Sequence, residues 1–132
     1  MSECIFCQII EKKLPCYQVY EDDLFLGFLD IYPRTIGHTV LIPKQHYRWT
    51  YDVPEFDQYW LSVLKITRAM QKSLKPNFIA YVTHGLQVAH AHIHIMPRDQ
   101  KSGSEYIPEV IKLTPDKFQE IATRISSQLN QE

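Results

Sequence analysis

The stretch His90-Ala91-His92-Ile93-His94-Ile95-Met96 decides how this chain is read. Histidine recurs at every second position, and the residues between are small or branched and apolar. On an extended strand successive side chains point to opposite faces, so His90, His92 and His94 share one face at spacings of about 7 Å while Ala91, Ile93 and Ile95 take the other. The apolar set belongs to the core. Its burial fixes the register, because a slip of one residue would bury three imidazoles and expose the isoleucines. One histidine on a strand is more often a packing or surface residue than a catalyst. Three in alternation, in a chain with six histidines, are a functional cluster, since packing calls for no such row of ionisable rings. Imidazoles exchange protons near neutral pH, which suits nucleophilic attack, proton transfer and metal binding alike.

Outward from this run, Phe78 to Val82 and Val88 to Met96 read as two strands joined by a tight connection at Thr83, His84 and Gly85. Upstream, Phe56, Tyr59, Trp60, Val63, Thr67, Met70 and Leu74 recur at helical steps. The pattern starts behind Asp52, has Pro54 near its first turn and stops at Pro76, which predicts one long helix with a broad buried face. Residues 16–20 and 24–29 flank the polar Glu21-Asp22-Asp23 in the layout of a β-hairpin. Thr39-Val40-Leu41-Ile42, closed by Pro43, is a third strand. Ile5, Phe6, Ile9 and Ile10 fall at helical spacing until Pro15 forbids a helix interior, so a short N-terminal helix is expected. Asp99 to Ser104 has loop composition. Thr114 to Leu129 reads as a final helix, with Thr114 as N-cap, Pro115 at its first position, and Phe118, Ile121, Ala122, Ile125 and Leu129 on one stripe. Five strands and one long crossover helix make an α+β fold, and residues 1–132 are expected to form a single domain.

The chain carries 14 Lys+Arg against 15 Asp+Glu, a net charge of −1, so no field of the whole protein draws in nucleic acid or anionic lipid. No nucleic-acid partner is expected, and a polyanionic ligand would need a local site. With 132 residues, 45% of them hydrophobic, the chain can build a core without staples. No apolar run reaches the ~18 residues of a membrane span, and Met1-Ser2-Glu3-Cys4 lacks the layout of a signal peptide, so a cytoplasmic protein with no membrane partner is expected. Three cysteines make no disulfide framework. Cys4-x-x-Cys7 has a spacing used for metal or redox chemistry in reducing compartments, and Cys16 reads as a small core residue.

The run from His90 to Met96, with Pro97-Arg98 behind it, resembles the His-φ-His-φ-His-φ-φ signature of the histidine triad (HIT) family, φ being apolar. Cys4-Ile5-Phe6-Cys7-x-Ile9-Ile10, Val19-Tyr20-Glu21-Asp22, Phe28-Leu29-Asp30, Gly37-His38-Thr39 and Ile42-Pro43-Lys44-x-His46 are similar to the family's N-terminal half, in the same order. The resemblance implies a five-stranded antiparallel sheet. It also implies a hydrolase that attacks the α-phosphorus of a nucleoside phosphoramidate, acyl adenylate or dinucleoside polyphosphate. His92 would be the nucleophile, forming a nucleotidyl-histidine that water hydrolyses, with its second nitrogen held by a backbone carbonyl. His94 would touch the phosphate or leaving group, His90 completes the triad, and His38 resembles a fourth active-site histidine. A purine nucleotide is the expected partner: Asp30 would accept hydrogen bonds from the ribose hydroxyls, and Phe6, Ile9, Phe28 and Ile31 would enclose the base, though core packing is an equal account of each apolar residue. In zinc-containing relatives the ligands map to Cys4, Cys7, His46 and His90. A structural zinc there would tie the N-terminal helix to the sheet; two metal-free thiols are the alternative. Many relatives form homodimers across the long helix and a sheet edge, and Trp60, Tyr59 and Trp49 suit such an interface or a core.

The chain departs from the family before the triad, where an Asn-x-Gly turn and a Gly-Gln pair are usual. Here Thr83-His84-Gly85 runs directly into Leu86-Gln87-Val88-Ala89-His90, a shorter loop. Gln87 is expected to donate to the phosphate, and His84 could enter the gap left by the missing Asn. Two other readings compete with the hydrolase. One is a metalloenzyme in which His90, His92 or His94 holds a catalytic zinc, although no acidic motif stands nearby. The other is a nucleotide-binding module with little turnover. A histidine at 94, rather than Gln, points to the hydrolase branches and away from transfer to sugar phosphates.

Overall fold

Five antiparallel strands form one sheet in the order β1-β2-β3-β5-β4 in the computed structural model, which describes residues 4–99 and 105–129. The strands are β1 (Gln18–Glu21), β2 (Phe25–Leu29), β3 (Thr39–Pro43), β4 (Phe78–Val82) and β5 (Ile93–Arg98), and the helices α1 (Ile5–Ile10), α2 (Phe56–Ser73) and α3 (Pro115–Leu129). The Asp22 carboxylate closes the β1–β2 hairpin by accepting the Leu24 and Phe25 N–H groups at 2.8 and 2.7 Å, an Asx turn that asks nothing of glycine. Helix α2 crosses from β3 to the far edge, and β5 then returns between β3 and β4. Thr114 caps α3 through its hydroxyl, which accepts the Lys117 N–H.

Helices α2 and α3 cover one face of the sheet. Tyr59, Val63, Ile66, Ala69 and Met70 of α2 and Phe118, Ile121, Ala122 and Ile125 of α3 meet Phe25, Leu41, Ile93 and Ile95 in the main core. Tyr59 stacks on Phe25 at 4.9 Å and donates its hydroxyl to the Leu41 carbonyl, so it belongs to the core and not to an outer surface. Phe56, expected on the buried face, is exposed. The other face of the sheet carries Leu26, Phe28, Val40 and Ile42, covered by Phe6, Ile9 and Ile10 of α1 and by Cys16. Strands β2 and β3 are therefore buried on both faces.

The last strand is shorter than the sequence predicts: it starts at Ile93, and not at Val88. Pairing explains the difference. The β3 ladder ends at Leu41 opposite Ile93 and the β4 ladder at Val82 opposite His94, and β3 itself runs out at Pro43, which has no N–H to give. Residues 86–90 bend instead, after Gly85 turns the chain with φ +73°. Beyond Asp99, the loop expected up to Ser104 lies outside the described residues. Among the described residues no helix is long and apolar enough to cross a membrane.

Candidate active site

Ala91, Ile93 and Ile95 enter the main core as the alternation requires. The three imidazoles take the opposite face, but that face is closed over His90 and His92, while His94 is half-buried. His90 is 0% exposed and His92 6%, because Phe6 of α1 lies edge-on to both rings at 5.7 and 5.3 Å and to Phe28 at 5.7 Å. The expectation that the imidazoles face an open cleft is corrected at two of them: α1 buries His90 and His92, and hydrogen bonds compensate for it.

Those bonds assign every ring nitrogen. The Nδ1 of His92 is 2.8 Å from the His90 carbonyl oxygen. A carbonyl only accepts, so Nδ1 carries the proton and Nε2 the free lone pair. The Nε2 of His90 donates to the Pro43 carbonyl at 2.9 Å, which leaves its lone pair on Nδ1, 3.4 Å from Cys4 Sγ and 3.6 Å from Cys7 Sγ. His38 accepts the Arg34 backbone N–H on Nδ1 at 3.0 Å, so its Nε2 is the donor to His94 Nδ1 at 2.9 Å. By the same logic the proton of His94 sits on Nε2. The order Arg34, His38, His94 is thus a directed chain of donors.

Burial keeps these rings neutral. It pushes His38 down to about 3, and His90 and His94 each to about 4, all below the ordinary 6.5. Burial also lowers His92; the His90 carbonyl and the Asp30 charge oppose the shift, and the Arg48 guanidinium adds to it. Asp30 follows β2 beside the cluster, with Oδ1 accepting the Tyr32 N–H and Oδ2 3.6 Å from His38 Nε2 and 3.8 Å from His94 Nδ1. Its carboxyl is raised by burial.

Two groups of side chains bring metal-ligand atoms within 4.8 Å of one another: Cys4, Cys7, His46 and His90, and Asp30, His38 and His94. The first fits a tetrahedral ion. Zinc bonds of ~2.3 Å to sulfur and ~2.0 Å to nitrogen place ligand atoms about 3.3–3.8 Å apart, and Cys7 Sγ lies 3.3 Å from His46 Nδ1. The His90 lone pair already faces the sulfurs. Burial, with Cys4 beside it, pushes the Cys7 thiol up to about 11, so a dication is what would hold that sulfur as a thiolate at neutral pH. The second group does not fit, because the Arg34 N–H fixes the proton of His38 on the nitrogen that would have to bind. That weighs against catalytic zinc at His94.

Of the remaining sequence candidates, Phe28 is buried and Phe6 and Ile9 half-buried in the smaller apolar cluster, whereas Ile31 is 59% exposed beside Asp30. Gln87 is exposed in the bend before the triad and His84 is exposed too, so neither side chain is drawn into the histidine cluster. Sequence reasoning missed Arg34 and Pro43, which act through the backbone. It also missed Thr83, whose hydroxyl donates to the His92 carbonyl at 2.9 Å, and Arg48. A cavity of about 690 Å³ at the β1 edge, lined by Gln18, Glu21, Lys65 and Ser126 among others, holds no histidine or cysteine.

A row of neutral histidines, two of them buried and one with its Nδ1 proton held by its predecessor's carbonyl so that Nε2 is free, defines a histidine-triad site. The HIT domain family matches residues 11–101, and the chain belongs to that family. An uncharacterized HIT-like protein of Borreliella burgdorferi is 38% identical over 96% of this chain and 98% of its own length. Adenosine 5'-monophosphoramidase HNT1 of Saccharomyces cerevisiae is 33% identical over 77% of this chain and 67% of its own. Adenylylsulfatase HINT3 of Arabidopsis thaliana is 35% identical over 76% of this chain and 54% of its own. Among solved structures, a Zn-bound histidine triad family protein of Mycobacterium smegmatis superposes with a TM-score of 0.82 at 31% identity, covering 98% of this chain and 95% of that one.

Proposed function

We propose that this chain is a nucleotide hydrolase that attacks the α-phosphorus of nucleoside phosphoramidates or dinucleoside polyphosphates through a nucleotidyl-histidine on His92. The observation that carries the reading is the 2.8 Å contact between His92 Nδ1 and the His90 carbonyl, which leaves Nε2 as the only nucleophilic nitrogen of that ring. Nε2 forms a bond to phosphorus as the bond to the leaving group breaks. The imidazolium that results keeps its Nδ1 proton on the carbonyl. His94 presents its Nε2–H to the atom that leaves, and His38 holds His94 in that tautomer. Water then attacks phosphorus as the bond to His92 Nε2 breaks, which restores neutral His92, and the proton the water sheds returns to the His94 nitrogen that gave one to the leaving group. The kinship with a protein named a phosphoramidase and another named an adenylylsulfatase supports this class of reaction.

Asp30 takes the ribose hydroxyls, and Phe6, Ile9 and Phe28 form the inner wall for a purine with Ile31 outside it. Cys4, Cys7, His46 and His90 would hold a structural zinc. Bound there, it ties α1, and with it Phe6, to the segment that carries the nucleophile. A second copy of the chain pairs across the β4 edge and α2, where Phe78, Tyr81, Leu61 and Leu64 are exposed. The protein acts in the cytoplasm.

Intact-protein mass after brief acid quench with adenosine 5′-phosphoramidate or a diadenosine polyphosphate tests the mechanism. An adenylyl adduct in the wild type that is absent from His92→Ala is expected. Hydrolysis without an adduct that stops on chelation would instead favour a catalytic metal, and bound nucleotide without turnover a binding module.

A further inference from the structure

Arg48 is a cation that no carboxylate answers among the described residues. It stands on the connection from β3 to α2, directly after Tyr47, whose carbonyl accepts the Ala91 N–H at 2.7 Å. This connection therefore runs beside the residues that lead into His92. The guanidinium carbon lies 3.7 Å over the Trp49 ring, and Nη1 donates to the Gly85 carbonyl at 2.8 Å. The stack fixes the plane of the group and the carbonyl fixes one edge, so the fork is held in place before any ligand arrives. Trp49 in turn is pressed against the loop: a Cβ at Gly85 would stand 2.9 Å from its ring. Among the described residues the ion pairs leave Arg48 out, and it is half-buried. A structural brace for one carbonyl needs no permanent charge. A rigid guanidinium beside a histidine that attacks phosphorus does match an anion, which it can take with the N–H groups not spent on Gly85.

We infer that Arg48 binds the anionic group on the leaving-group side of the α-phosphorus, a second phosphoryl or a sulfuryl group, and so selects nucleotides whose leaving group is charged. The inference rests on the reading of His92 as the attacking residue. A phosphoramidate, which expels a neutral amine, offers Arg48 nothing to hold; a polyphosphate or an adenylyl sulfate does.

Binding is measured first by calorimetry in a His92→Ala background, where no bond is broken. The probes are AMP, the α,β-methylene analogue of ADP, and adenosine 5′-phosphosulfate. With Arg48 present, one or both charged probes bind about tenfold or more tightly than AMP, the size of one charge-assisted contact. Preference for the diphosphate analogue alone assigns the phosphoryl group, and for the phosphosulfate alone the sulfuryl group. Arg48→Gln keeps an amide N–H for the Gly85 carbonyl and removes the preference; with His92 restored, it lowers the kcat/KM ratio of charged over phosphoramidate substrates by a similar factor. Equal affinities for all three probes in the Arg48 protein overturn the inference, and so does an Arg48→Gln protein that loses affinity for all of them alike. Thermal unfolding is recorded for each variant, and if Arg48→Gln fails to fold, Arg48→Lys decides by whether the preference shrinks relative to AMP. An Arg48-dependent preference in a wild type that forms no adduct would sink the nucleophile reading and leave this one standing.

Discussion

The carbonyl oxygen of His90 is 2.8 Å from Nδ1 of His92, so each of these residues does two things. His90 gives its ring to the Pro43 carbonyl and the sulfurs and its backbone to the nucleophile. His92 must be neutral to attack, and burial lowers its pKa below the ordinary 6.5. The kcat/KM for an adenylyl substrate is therefore expected to be flat from neutral pH upward and to fall about tenfold per unit below an apparent pKa under about 6.5. A pH–rate profile from 4 to 9 checks this, and an acid limb centred above 7 would contradict it.

His38 never needs to meet substrate to matter. Its Nε2–H fixes the tautomer of His94, and the Arg34 N–H fixes that of His38. His38→Ala frees His94 to place its proton on Nδ1, away from the leaving group. An expected loss of about ten- to a hundredfold in kcat, with little change in KM, follows from an impaired proton donor. The loss should be largest for the poorest leaving groups. Steady-state kinetics on a series of phosphoramidates with amines of different basicity measure it; a uniform loss across the series would reduce His38 to packing.

The face assignment was legible because Ala91, Ile93 and Ile95 need the core whatever surrounds them, and the α2 and α3 stripes were legible for the same reason. The closure of the histidine face was not, since it depends on α1 folding back from the far end of the sequence to place Phe6 on the rings. Val88 is a β-branched residue that favours a strand by itself, yet β3 ends at Pro43 and offers nothing to pair with it. Ile31 follows the resemblance but turns outward past the end of β2. Arg34 escapes any reading of side-chain types, because what it supplies to His38 is a backbone N–H.

Removing the metal should loosen α1. Zinc at Cys4, Cys7, His46 and His90 joins three separate segments, so its loss unfolds the protein more easily, by on the order of 10 °C in Tm for a tightly held ion. Elemental analysis should find one zinc per chain, lost in Cys4→Ser and Cys7→Ser and kept in Cys16→Ser, whose thiol packs in the apolar cluster. Protein refolded with excess zinc that still carries none would rule the site out.

Acid should destabilise the fold before the carboxylates titrate. His38 and His94 have folded pKa values of about 3 and about 4 against an ordinary 6.5, so between those limits the unfolded chain binds more protons than the native one. Stability is then full above about pH 6.5 and falls as pH drops, by up to about 1.4 kcal/mol per unit for each ring. Urea unfolding at pH 7.5, 6 and 5 gives the slope, and His38→Asn should flatten it; stability that rose on acidification would refute the buried neutral pair.

Gly85 has no tolerant substitute. Its φ of +73° disfavours any side chain, and a Cβ would meet Trp49 Cζ3 at 2.9 Å, on the ring that carries Arg48. Strain in the left-handed region and displacement of a packed indole act together, so Gly85→Ala is expected to cost about 1–3 kcal/mol of stability. The shift also moves the carbonyl that holds Arg48. Chemical denaturation measures the first effect. The second appears as a weaker preference for the α,β-methylene analogue of ADP over AMP at a temperature where the variant is fully folded. If that preference survived a confirmed loss of stability, the loop would position the indole alone, and Arg48 would owe its place to the Trp49 stack rather than to Gly85.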